Sequence, residues 1–215
     1  MGNKKKLITI IDYGVGNILS IYNSIKNTKN VINITNKCSD VEKSECIVLP
    51  GVGSFTTAIK NLKKNNLYNL IKQKGNSGTK IIGICLGMQI LMKHGNENGY
   101  TEGLGFFEGE SVKINNNNDY KIPNVGLRDF MINKNIKNNF FMKYKTERFY
   151  HLHSYKIKTN KKSILAWSHI GDFKYNIPAL IKKKNIIGFQ FHPEKSGNVG
   201  ILFLKQVLNS NFYEV

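Results

Sequence analysis

Apolar and polar positions alternate along this chain with two distinct periods. Residues 7–12 form a short apolar run that reads as a buried strand. Over residues 17–26 the apolar positions Ile18, Ile21, Tyr22 and Ile25 recur every three or four residues, a helical period. A strand is expected at residues 46–49. It is followed by one helix through Ala58, Ile59 and Leu62 and another over residues 67–74. Asn76-Ser77-Gly78 reads as a turn into the next buried run, residues 80–84. Residues 186–191 give one more strand and residues 199–208 a last helix, with a tail expected to fray. This alternation predicts an α/β fold with a mainly parallel, doubly wound sheet, whose ligands bind at the carboxyl ends of the strands. Between residues 112 and 180 strand-like runs follow one another without regular helices, and antiparallel strands extending the sheet are expected there. Residues 115–119 and 133–139 are polar and read as loops. No repeat or linker interrupts the chain, so residues 1–215 read as a single domain.

The candidate chemistry sits where predicted strands end. Gly83-Ile84-Cys85-Leu86-Gly87-Met88-Gln89 places a cysteine at a strand-to-helix junction, framed by glycines. That has the logic of a nucleophile elbow: the glycines permit a sharp turn, and the following helix offers free N–H groups that favour a thiolate. The run at residues 186–191 leads directly into His192-Pro193-Glu194, putting an imidazole at a strand end with a carboxylate two residues on. Such a carboxylate can hold the ring in one tautomer and stabilise its protonated form. A lone buried cysteine is usually inert packing, and a lone His-x-Glu is equally ordinary; both at strand ends reverse that reading. Pro50-Gly51-Val52-Gly53-Ser54-Phe55 follows another strand, and its backbone N–H groups, with that of Leu86, could form an oxyanion hole.

Together these segments resemble the class I (triad) glutamine amidotransferases, and within them the HisH family, glutaminase subunits of imidazole glycerol phosphate synthase. Ile11-Asp12-Tyr13-Gly14-Val15-Gly16-Asn17, Gly103-Leu104-Gly105-Phe106-Phe107-Glu108-Gly109 and His153-Ser154-Tyr155 match further family segments. The resemblance runs over about residues 7–208 and implies a flavodoxin-like open sheet with helices on both faces. It implies a Cys85, His192, Glu194 triad that hydrolyses L-glutamine to glutamate and ammonia. It also implies oxyanion or glutamine contacts at Gly51, Val52, Gly53, Leu86, Gln89, Glu97, His153, Ser154 and Tyr155. The implied partner is a HisF-type (βα)₈-barrel synthase, which receives the ammonia through a shielded route for imidazole glycerol phosphate formation in histidine biosynthesis. One segment departs from the family. Where it usually carries Pro-His-x-Gly-Trp-Asn, this chain has Pro123-Asn124-Val125-Gly126-Leu127-Arg128. That departure raises an alternative, a paralogue supplying ammonia to surface-sugar amidation or amination. A vitamin B6-type glutaminase fits the other segments less well, and the intact triad speaks against a non-catalytic binding protein.

Charge and cysteine usage refine this picture. The net charge of +18 suggests nucleic acid, but Arg128 and Arg148 are the only arginines. Lysine gives non-specific attraction, whereas specific base and phosphate contacts favour arginine; no specific nucleic-acid partner is expected. Three cysteines argue against a disulfide framework and suit a reducing cytoplasm. No signal peptide or membrane-length apolar stretch is visible. No cofactor is needed, and His151, His153 and His169 show no convincing metal spacing.

Overall fold

The computed structural model describes residues 5–115, 120–133, 139–170 and 175–210. In chain order its strands are β1 (Leu7–Ile11), β2 (Val31–Thr35), β3 (Cys46–Leu49), β4 (Lys80–Ile84), β5 (Met92–Gly95), β6 (Thr101–Glu102) and β7 (Phe107–Lys113). They continue with β8 (Asn124–Asp129), β9 (Met131–Ile132), β10 (Arg148–His153), β11 (Tyr155–Thr159), β12 (Ile164–Ile170), β13 (Tyr175–Lys183) and β14 (Ile186–Phe189). The helices are α1 (Ile18–Ile25), α2 (Cys38–Glu42), α3 (Phe55–Lys64), α4 (Leu67–Asn76), α5 (Leu86–Gln89), α6 (Asn139–Met142) and α7 (Gly197–Asn209).

The main sheet has eight strands in the order β2-β1-β3-β4-β14-β13-β12-β9. From β2 to β14 every pairing is parallel; β13, β12 and β9 add on antiparallel. The mainly parallel α/β sheet with an antiparallel extension is therefore as the periodicity predicts. The strands β3, β4 and β14 are neighbours, with Leu49 opposite Gly83 and Ile84 opposite Phe189. Parallel neighbours lie about 4.8 Å apart. The segments following their carboxyl ends, at residues 50–53, 85 and 190–194, are thus brought together by topology alone.

Helices cover both faces because the sheet is apolar on both. α3 shows how the local sequence does this. Ser54 caps it by accepting a hydrogen bond from the Thr57 N–H at 3.3 Å, and Lys63 and Lys64 sit in its last turn. Such a cap contributes about 1 kcal/mol. Phe55, Ala58, Ile59 and Leu62 point inward at helical spacing and join one core layer with Leu67, Ile71, Ile81 and Met88. The opposite layer holds an aromatic cluster. Phe191 is fully buried, stacked on Phe149 at 4.3 Å and edge-on to Phe203 at 5.5 Å. Burying such a ring stabilises by about 1.5–3 kcal/mol, and here it fixes the point from which His192 emerges.

Two expectations change. Only part of the second half extends the main sheet. β8 and β10 form a separate antiparallel pair, and β11-β7-β5-β6 a separate four-stranded sheet. The chain breaks direction at Ser154, so β10 and β11 join different sheets, a choice that period-two patterning does not specify. The helix after Cys85 is also a single turn of four residues, too short for a substantial dipole. The expected loops at 116–119 and 134–138, and the tail beyond 210, lie outside the described residues.

Candidate active site

Cys85 follows β4 with φ 53° and ψ −106°, a left-handed conformation that a non-glycine residue adopts only under constraint. Its N–H donates to the Phe189 carbonyl at 2.7 Å, tying the bend to β14. Gly87 makes the bend possible: a Cβ there would lie 1.9 Å from the Leu49 carbonyl oxygen. A Cβ on Gly51 would lie 2.4 Å from the Leu86 Cβ and 2.5 Å from the Gly87 nitrogen. Only hydrogen side chains let the loop after β3 close on the elbow.

His192 is locked from two sides. Its N–H donates to the Tyr150 carbonyl at 2.8 Å, and the Ser196 hydroxyl donates to its carbonyl at 2.7 Å. Its Nδ1 lies 2.7 Å from Glu194 Oε1, with side chains 1% and 0% exposed. A buried pair at this distance is a charge-assisted hydrogen bond. Burial pushes the imidazole pKa down, but the Cys85 sulfur and the Glu194 carboxylate outweigh it and carry it up to about 10. Both groups favour the imidazolium form of His192. Its Nε2 is buried without a partner of normal hydrogen-bond geometry, and the Cys85 sulfur is the group that raises it most, by charge and then by a hydrogen-bonding contribution.

A cavity of about 240 Å³ opens beside the sulfur, lined by Val52, Gly53, Cys85, Leu86, Gln89, Pro123, Leu152, His153, Ser154 and Tyr155. Gly51 lies directly behind it. Most of the expected contacts converge here, with three differences. The Leu86 N–H, expected to point at an oxyanion, donates instead to the Gly51 carbonyl at 3.4 Å. Glu97 does not line the cavity. Its Oε2 accepts from the Phe55 N–H at 2.6 Å at the start of α3, although with burial its charge pushes the nearby Tyr155 phenol up. The His153 ring is turned inward, with Nδ1 2.8 Å from the Tyr155 carbonyl and Nε2 3.1 Å from Asn124 Nδ2.

Sequence reading missed two residues. The Tyr13 hydroxyl donates to the Pro50 carbonyl and pins the glycine loop to the end of β1. Burial, and then the charge of Cys85, push its phenol up. Gln190, fully buried, donates through Nε2 to Cys85 Sγ at 3.7 Å. The signal was present: an amide side chain inside an apolar strand, two residues before the histidine, needs a partner.

Residues 9–208 match the family described as Glutamine amidotransferase class-I. The chain is 38% identical over 203 residues to the imidazole glycerol phosphate synthase subunit HisH of Lactococcus lactis, covering 94% of this chain and 98% of that one. It is 36% identical to the protein of that name from Oceanobacillus iheyensis, covering 93% and 97%. The chain belongs to the HisH family of class-I glutamine amidotransferases. Among solved structures, PurLQS from Thermotoga maritima superposes with a TM-score of 0.72 at 19% identity, over 96% of this chain and 99% of that one. A structure described as a glutamine amidotransferase gives 0.71 at 16%, over 94% and 98%. These two confirm the flavodoxin-like fold of the family. Its matched span takes in every element around the cavity, from β1 to α7. Among the described residues no helix is long and apolar enough to cross a membrane, and no cluster of metal-ligating side chains occurs.

Proposed function

We propose that this chain is the glutaminase subunit of imidazole glycerol phosphate synthase in histidine biosynthesis, acting as a single cytoplasmic domain. The observation that carries the reading is that Cys85, on a cavity it shares with Val52 and Gly53, acts on the buried His192, whose Nδ1 is 2.7 Å from Glu194. Cys85 attacks the side-chain amide carbon of L-glutamine. His192, held as imidazolium, gives its proton to the departing ammonia and then takes one from the water that hydrolyses the thioester. Glu194 keeps the ring oriented and its positive charge compensated. The tetrahedral oxyanion needs donors. Rotating the Gly51–Val52 peptide turns the Gly51 carbonyl away from Leu86, frees that N–H and brings the Val52 N–H round beside it.

The ammonia acceptor is a HisF-type (βα)₈-barrel synthase. Its docking face is a groove of about 720 Å³ lined in part by Leu127, Arg148, Tyr150, Lys195 and Val199, directly after Glu194. Leu127 in this groove, and Val125 two residues before it on β8, are each 44% exposed, as apolar anchors are before a partner covers them. Full-length likeness to proteins named HisH does not favour the surface-sugar paralogue. Glutamate release is measured for the chain alone and with the barrel synthase and its acceptor. Slow hydrolysis alone and strong stimulation in the complex are expected. Absence of glutamine hydrolysis in the complex refutes the reading.

A further inference from the structure

A hydrogen-bonded chain leads from the docking face to the sulfur, and its polarity is dictated at both ends. Arg128 carries only donors. Its Nε donates to Asn124 Oδ1 at 2.8 Å, while its other nitrogens donate to the Val125 carbonyl at 2.9 Å and the Leu127 carbonyl at 3.4 Å. Asn124, fully buried, must therefore present its NH₂ to His153 Nε2, 3.1 Å away. That nitrogen must be the acceptor, so the ring proton sits on Nδ1. The Tyr155 carbonyl demands the same tautomer independently, because it can only accept, and it lies 2.8 Å from His153 Nδ1. The same carbonyl accepts from Gln89 Nε2 at 3.2 Å, and Gln89 Nε2 also donates to Gln190 Oε1 at 3.3 Å. Gln190 is thereby turned to donate through Nε2 to Cys85 Sγ at 3.7 Å. Both N–H groups of Gln89 are thereby engaged, and the residue also lines the cavity.

We propose that Arg128 and Asn124 are positioning residues for glutamine hydrolysis: they hold His153 in its Nδ1–H tautomer and so fix the Tyr155–Gln89–Gln190 shelf beneath Cys85. The proposal rests on the glutaminase reading and adds to it residues at two of the positions where this chain departs from its family's pattern. A buried amide linked to a donor-only guanidinium cannot rotate without leaving two groups unpaired, which makes the tautomer a property of the fold. The groups facing the His153 ring favour its neutral form. Burial comes first, the Tyr155 carbonyl alone opposes it, and the charges of His192 and Arg128 add to burial, taking the pKa down to about 3. His151 on the same strand stands 3.0 Å from Nε2 through its own Nδ1. With His153 Nε2 an acceptor, that contact requires a proton on His151 Nδ1.

The first test needs no variant. Ring nitrogen chemical shifts of His153 in the ¹⁵N-labelled wild-type protein are expected to report the neutral Nδ1–H tautomer from mildly acidic to mildly alkaline pH. An Nε2–H tautomer overturns the proposal. The second test is Asn124→Asp. Two carboxylate oxygens can only accept, so His153 Nε2 must now donate while Nδ1 still serves Tyr155. The imidazolium then appears beside His151, His192 and Arg128, and its signal follows pH. In the complex with the synthase, kcat/KM for glutamine is expected to fall about 10- to 100-fold, the scale of a disrupted buried hydrogen-bond network. A new pH dependence tracking the His153 titration should accompany the loss. Unchanged kcat/KM and pH profile overturn the proposal. If Asn124→Asp does not fold, Arg128→Lys at its half-buried position reads the same point: the single ammonium cannot hold Asn124 and both carbonyls at once. A smaller loss in the same direction, with mixed His153 tautomers, is expected, and wild-type behaviour in both overturns the proposal. Failure of the wild-type complex to hydrolyse glutamine refutes the glutaminase reading instead and leaves the tautomer result standing.

Discussion

Replacing Cys85 with serine should do two separable things, and the second is the sharper test of the site. Turnover should fall by at least ~10³-fold, since a hydroxyl here has no accessible anion at neutral pH. The charge state of His192 should also change. In the native site the imidazole lies at about 10 against an ordinary 6.5. At ~1.4 kcal/mol per pH unit this is a preference of roughly 5 kcal/mol for the imidazolium. Burial opposes that preference, so the sulfur and Glu194 together supply more than the net, and the sulfur supplies the larger share. Without the sulfur, Glu194 alone faces the burial. The His192 midpoint should fall by at least about one pH unit, the scale of losing one close charge partner. The sign is definite. A raised histidine contributes stability that is fully present below 6.5 and is lost as pH rises through about 10. In Cys85→Ser the loss sets in at lower pH. The assay is an NMR titration of the His192 ring in both proteins, with thermal unfolding followed across the same range. Identical His192 titrations would refute the electrostatic argument. Near-native turnover of the serine variant in the complex would remove Cys85 as nucleophile.

Three further outcomes are expected. Glu194→Gln should lower kcat and largely preserve KM, because the carboxylate acts on His192 and not on glutamine; a loss confined to KM would make Glu194 a binding residue. Gly87→Ala should lower stability by about 1–3 kcal/mol in denaturant unfolding. The new Cβ lies 1.9 Å from the Leu49 carbonyl oxygen, so β3 and the elbow must part. An unaffected midpoint would disprove that close approach. Leu127→Asp should weaken binding of the synthase and its stimulation of hydrolysis while leaving His192 titration unchanged; no effect on either binding or stimulation would move the docking face elsewhere.

The sequence was most legible where a local pattern had one structural solution. Short apolar runs ending in Cys85, His192 and the Gly51 loop could serve one site only if their strands were neighbours, and β3, β4 and β14 are adjacent and parallel. β2 and α2 were not read. Val31 is 53% exposed and only Thr35 of that strand is buried, so an edge strand here carries little apolar signal. The separate sheets of the second half were also illegible, because a break at Ser154 depends on which partner strand each segment finds. Glu97 has the right residue type near the right place. Its backbone contact at the head of α3 follows from the path of residues 95–99 over that helix, which no motif encodes. His153 lines the cavity as expected, but the strand alternation that turns its ring inward, where Asn124 and Tyr155 hold it, was not read.

The proposed rotation of the Gly51–Val52 peptide can be set against what a partner would supply. The bond from the Leu86 N–H to the Gly51 carbonyl is long, at 3.4 Å, near the limit where such bonds weaken steeply. Breaking it costs no more than the ordinary net value of about 0.5–1.5 kcal/mol. One oxyanion donor, by contrast, is worth about 10²–10³ in turnover. Allosteric coupling of ordinary size, about 1–3 kcal/mol, is therefore enough to exchange the first for the second. The cost of that exchange is kept low by the fold. Gly51 has no side chain to drag past Leu86 and Gly87, Gly53 already sits at φ 136°, and the Tyr13 hydroxyl holds the loop at Pro50, ahead of the peptide that turns. The triad side moves little by comparison, because His192 is tied to Tyr150, Ser196 and Glu194 at once. On the proposed reading, a synthase seated on Leu127 and Lys195 would not have to rearrange the catalytic groups. On that reading it has only to favour the rotated Gly51–Val52 peptide, so that hydrolysis would begin where the ammonia has somewhere to go.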